Sequence, residues 1–182
     1  MPLTIDTSPF SPTCNSYASL AGMLDYVQTR VANASVVTAW EDLDDDKKAM
    51  YLVNASRSID SYVEWIGDKY SRDQRLDWPR VNAYVDSFII DQISFPREVV
   101  EATYEMALWM MGNSGEVYVD QTSSYDAIKV GPITIDFNQQ ALGSARQYFP
   151  DIVAALLKDL GSIQNPDLPG QTKLKIGKLQ RA

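Results

Sequence analysis

The chain has 182 residues, 45% of them apolar, which supports one domain with a real core and leaves little room for a second. It contains no histidine and one cysteine, Cys14, which excludes a Ser-His or Cys-His nucleophile pair, a cysteine metal cluster and an intrachain disulfide. The net charge of −8 is uneven: residues 165–182 carry Lys173, Lys175, Lys178 and Arg181 against Asp167, a balance of +3 that leaves −11 on the rest.

Residues 1–14, with Pro2, Pro9 and Pro12, read as an extended lead-in arm. The opening residues lack the basic and apolar regions of a signal peptide, and no run of 18 apolar residues exists, so no membrane partner is expected. Asn15 or Ser16 is placed to cap a first helix whose stripe is Tyr17, Leu20, Ala21, Leu24, Val27 and Val31. Asp42, Asp44, Asp45 and Asp46 suit the start of a second. That acidic run lacks the alternating ligands, central Gly and terminal Glu of a calcium loop, so no metal is expected there. Ala49, Leu52, Val53, Ser56, Ile59, Val63 and Ile66 share one face, and the helix is predicted to stop near Gly67.

Residues 68–95 read as irregular and polar around Trp78-Pro79. Ser94 and Pro96 start a third helix with Val99, Val100, Thr103, Met106, Ala107 and Met110 inward, ending at Gly112 or Gly115. After a polar linker, two alternating runs flank Gly131-Pro132 between Tyr125 and Phe137, the pattern of a β-hairpin. Pro150 begins a fourth helix carrying Ile152, Val153, Leu156, Leu157 and Leu160, closed by Gly161. The expected fold is mainly α: a four-helix core with one β-hairpin over residues 15–161, and extended N- and C-terminal arms at 1–14 and 162–182.

No phosphate-binding glycine loop is present. Asp60 with Glu64, or Glu98 with Glu101, would make a hydrolytic pair only by accident of geometry, so no enzyme and no cofactor is expected. The tryptophans Trp40, Trp65, Trp78 and Trp109 are a possible stacking set for single-stranded bases, and Lys69, Arg72, Arg75 and Arg80 gather around Trp78. Asp68, Asp73 and Asp77 interleave with those cations and nearly cancel them, so the tryptophans read as core and tight nucleic-acid binding is not expected.

Three stretches, in order, resemble a family of small phage proteins. They are Asn15-Ser16-Tyr17-Ala18-Ser19-Leu20 leading to a helix that ends before Trp40; Leu76-Asp77-Trp78-Pro79-Arg80 followed by Ile93-Ser94-Phe95-Pro96 and Glu101–Ala107; and Lys129–Phe137 followed by Phe149-Pro150. That family carries the label of DnaT-like single-stranded-DNA-binding proteins, and its members look like head-to-tail connector adaptors. The resemblance implies a structural protein of a tailed-phage neck, present in host cytoplasm before assembly. It would form a ring, twelve-fold like the portal, beneath the portal protein, and join it to a downstream neck or tail protein. Genomic double-stranded DNA would pass its lumen without specific binding. On that reading the hairpin residues Ile128, Val130, Ile133, Ile135 and Phe137 lie at a subunit or neck interface. The tail docks on the portal through Lys173, Leu174, Lys175, Ile176, Lys178 and Arg181, as an added strand with apolar anchors and basic steering. The alternative is a single-stranded-DNA-binding replication accessory protein.

Overall fold

The structure, a computed structural model, describes residues 3–115, 119–121, 127–130, 133–136, 145–147 and 149–164; for the strands between 119 and 147 it describes the backbone. The chain is mainly helical with small antiparallel strand pairs. No helix among the described residues is long and apolar enough to cross a membrane.

Helix α1 spans Leu20–Arg30. Ser19, not Asn15 or Ser16, caps it by accepting from Gly22 N–H at 3.0 Å. The earlier positions are occupied otherwise. Asn15 Oδ1 accepts from Asp6 N–H, Ser16 Oγ donates to Ala18 O, and Tyr17 N–H donates to Ser56 Oγ at 3.0 Å. Residues 3–19 thus hold neither helix nor strand, yet Cys14, Tyr17 and Ala18 are buried in the core. Helix α2, Ala34–Glu41, follows an Asn33 cap and buries Trp40. It was not expected, because eight residues are too few to show a helical period.

Helix α3, Asp45–Tyr62, opens on Asp44, whose Oδ1 accepts from Lys47 N–H at 2.8 Å, with Asp45 and Asp46 in the positive first turn. It ends before the predicted Gly67. Val63–Trp65 is instead strand β1, antiparallel to β10 at Gly161–Ile163 in the register Val63↔Ile163 and Trp65↔Gly161. A Cβ on Gly161 would lie 2.7 Å from Glu64 O, so glycine permits the close approach. Residues 68–95 are less irregular than predicted. Strand β2 (Asp68–Lys69) pairs with β3 (Arg80–Val81), and β4 (Tyr84–Val85) pairs with β5 (Phe88–Ile89). The Trp78-Pro79 peptide is cis.

Helix α4, Arg97–Gly112, is the centre of the core, packed against α3 and α5 and touching α2. Its predicted stripe is buried at Val99, Thr103, Met106, Ala107 and Met110, while Val100 is only half-buried. Beyond it, β6 (Val119–Gln121) pairs with β9 (Ala145–Gln147), and between them β7 (Ala127–Val130) pairs with β8 (Ile133–Asp136). The hairpin stands where alternation placed it, with Ile128 opposite Ile135 and Val130 opposite Ile133. Helix α5 covers Asp151–Leu157 behind Pro150, and Gly161 opens β10 rather than simply ending the helix. Among the described residues the chain therefore has five helices rather than four, with α3 and α5 tied at their ends by β1 and β10.

Candidate nucleic-acid interface

The tryptophans are not a stacking surface. Trp40, Trp65 and Trp78 are buried, Trp109 is half-buried, and the Trp65 and Trp78 rings meet edge to face with centroids 5.7 Å apart. Arg80 is also taken: its Nε and Nη2 donate to Ile66 O and Gly67 O at 2.7 Å, holding the turn between β1 and β2. Lys69 Nζ lies 2.8 Å from Asp77 Oδ1. Of the basic cluster seen in sequence, Arg72 and Arg75 are left exposed and without an ion pair among the described residues.

Arg75 meets a further cation that sequence reading missed. The polar face of α3 carries the exposed Asn54, Arg57 and Ser61, with Ser58 buried beside them. Two depressions meet on this face at Arg57 and Ser61. One, of about 270 Å³, is lined by Asn15, Val53, Arg57, Asp60, Ser61, Arg75 and Leu76. The other, of about 350 Å³, continues along α3 past Asn54, Ser58 and Tyr62 to Gly115. The two depressions share Arg57 and Ser61, and Arg75 lines the first; this stretch of surface is the α3 groove. Neither arginine makes an ion pair among the described residues.

The floor beside Arg75 is rigid. Tyr17 Oη donates to Asp60 Oδ1 at 2.5 Å and accepts from Asp77 N–H at 3.0 Å and Trp78 N–H at 3.2 Å. Asp77 N–H also reaches Asp60 Oδ2 at 3.1 Å. Burial pushes the Asp60 carboxyl up to about 7 against the bond from Tyr17, and burial with the Asp60 charge pushes the Tyr17 phenol well up. The two segments that bring Asn15 and Arg75 to the groove also carry Phe10 and Tyr70. These rings are about half exposed and lie with centroids 4.9 Å apart. Exposed aromatic rings of this kind can stack on bases.

The remaining predicted site residues do not join this surface. Glu64 is exposed on β1 and accepts from Gln164 Nε2, so it does not face Asp60. Glu98 and Glu101 are both approached by Arg97. The strand backbones of Ile128, Val130, Ile133 and Ile135 are in place, whereas Phe137 and the tail positions Lys173, Leu174, Lys175, Ile176, Lys178 and Arg181 lie outside the described residues.

A family model described as "Putative DnaT-like ssDNA binding protein" matches residues 1–177. No curated protein and no solved structure matches. The match overturns the reading of the chain as a head-to-tail neck connector, because the family covering almost the whole length is described by single-stranded DNA, not by virion assembly. The physical reason for the error is that a net charge of −8 is a sum over the chain. It does not register two unpaired arginines in one groove. The expected portal and neck partners rested on the connector reading alone.

Proposed function

The chain belongs to the DnaT-like single-stranded-DNA-binding family, and from that membership we propose that it is a non-enzymatic accessory protein that binds single-stranded DNA along the groove on α3. The observation that carries the proposal is the family match over residues 1–177. The location is supported by Arg57 and Arg75, which line one depression together and make no ion pair among the described residues.

In this reading Arg57 and Arg75 take backbone phosphates as bidentate donors. Asn54 and Ser61, both exposed, offer neutral donors along the same path. Phe10 and Tyr70 stack on bases at the Arg75 end. The acidic remainder of the chain repels DNA away from the groove, which limits affinity, and the arginine–phosphate contacts weaken as salt rises. Photo-crosslinking tests the location: a 5-iododeoxyuridine oligonucleotide should attach within the peptides holding Phe10 and residues 54–75. Crosslinks confined to residues 84–112 would place the interface elsewhere.

A further inference from the structure

The surface between residues 84 and 93 is apolar without a partner. Tyr84, Phe88, Ile89 and Ile93 are each more than half exposed, and none lines either depression of the α3 groove. Three of them stand on the hairpin of β4 and β5. Its turn residues Asp86 and Ser87 have φ of 49° and 69°, the left-handed values that a two-residue hairpin turn requires. Ile90 N–H donates to Ala83 O, so the next pair, Tyr84 and Ile89, turns its backbone groups outward to the two edges. Those groups meet no partner among the described residues. An open edge beside exposed apolar side chains is a template for one more strand.

Charge selects that strand. No basic residue occurs between Arg80 and Arg97, while Asp86 and Asp91 are exposed and without an ion pair among the described residues. A basic strand with alternate apolar residues fits such an edge, and the chain contains one, Thr172-Lys173-Leu174-Lys175-Ile176, in a stretch of net charge +3. Its own hairpin lies on the wrong side. Gln164 N–H donates to Tyr62 O, which takes the chain out past the α3 end of β1, whereas Gly67, beyond the other end, lies against Ala83 at the foot of the hairpin. We propose that residues 172–176 of a second copy add to the β4–β5 hairpin as a third strand. Leu174 and Ile176, on one face of that strand, cover Tyr84 and Ile89, and Lys173 and Lys175 on the other meet Phe88 and Asp86. One such edge and one such strand per chain make the contact head to tail.

Sedimentation velocity with the full chain tests it. At low salt the average mass should rise with concentration over about 1–100 µM, and fall back as salt is added. Phe88→Ser/Ile89→Ser and, separately, Leu174→Asp/Ile176→Asp should each weaken association at least about tenfold, with circular dichroism unchanged. The two defective chains mixed should pair again, because the first keeps its basic strand and the second its hairpin, and growth should stop at two copies. A wild type that stays monomeric at about 100 µM would overturn the contact. Association that survives Leu174→Asp/Ile176→Asp would seat another surface on the hairpin and overturn the choice of occupant. Failure of the mixture to pair would overturn the head-to-tail arrangement. A monomer in which Leu174→Asp/Ile176→Asp speeds hydrogen exchange of residues 84–90 would place the strand on its own hairpin and overturn the second copy.

Discussion

The phenol of Tyr17 stands 2.5 Å from Asp60 Oδ1 and joins two segments far apart in sequence, the lead-in to α1 and the outer end of α3. The same oxygen accepts from the backbone of Asp77 and Trp78. One hydroxyl therefore fixes the loop that carries Arg75. Tyr17→Phe keeps the ring against Phe95, whose centroid is 5.0 Å away, but leaves Trp78 N–H without an acceptor, Asp60 Oδ1 without its donor, and Asp77 N–H with Asp60 Oδ2 alone. Urea unfolding should show a loss of about 2–4 kcal/mol. A loss below about 0.5 kcal/mol would mean that water replaces the hydroxyl without cost.

Asp60 also gives stability a pH dependence of definite sign. Its folded value of about 7 lies above the ordinary 3.8. Between these values the folded chain keeps a proton that the unfolded chain releases. The contribution is thus full below about pH 3.8, falls as pH rises, and is gone above about 7. Asp6, Asp44 and Asp91 run the other way, since hydrogen bonds hold their carboxyls low. Comparison with Asp60→Asn removes that background. From pH 4.5 to 7.5 the wild type should lose about 1–3 kcal/mol relative to the variant. A relative gain would contradict the buried-carboxyl account.

Two helical glycines should respond oppositely to alanine. A Cβ on Gly22 would lie 2.2 Å from the Oη of buried Tyr104, which is itself packed on Tyr26. Nothing lies within 4 Å of a Cβ on Gly112. Thermal denaturation should show Gly22→Ala destabilised by about 1–2 kcal/mol. Gly112→Ala should be stabilised by about 0.5 kcal/mol through helix propensity. The reverse order would refute the packing of α1 against α4.

The hairpin of β4 and β5 presents Phe88 at 78% exposure. Phe88→Ser should leave the unfolding midpoint of dilute protein within about 0.5 kcal/mol of wild type. A larger loss would show that Phe88 is buried in solution.

Helix α4 and the hairpin of β7 and β8 were legible because their periods are set locally, by Val99 to Met110 at helical spacing and by Ile128 to Ile135 in alternation. The end of α3 was not. Val63 and Ile66 continue the helical stripe, and only pairing with Gly161–Ile163, remote in sequence, turns that stretch into a strand. The groove was half legible. Arg75 was visible but netted against Asp77, which the fold assigns to Lys69 instead. Arg57 was passed over because reading α3 by its apolar stripe ignores the opposite face. The tryptophans, read as core from the sequence, are buried at 40, 65 and 78 and half-buried at 109, and nothing in the sequence marked Phe10 and Tyr70 as rings that reach solvent.

The most direct test of the central claim is oligonucleotide binding by the full chain and by Arg57→Glu/Arg75→Glu across a salt series. The wild type should bind a dT oligonucleotide at low salt, with log K falling against log salt at a slope of at least about −1.4, the value for two phosphates on a single strand. Both arginines are surface residues without ion pairs among the described residues, so the double variant should keep its fold by circular dichroism. It should lose at least about tenfold in affinity at low salt, and its slope should shrink by about 1.4. A folded double variant that binds as tightly as wild type, with the same slope, would contradict the assignment of the α3 groove as the DNA-binding surface.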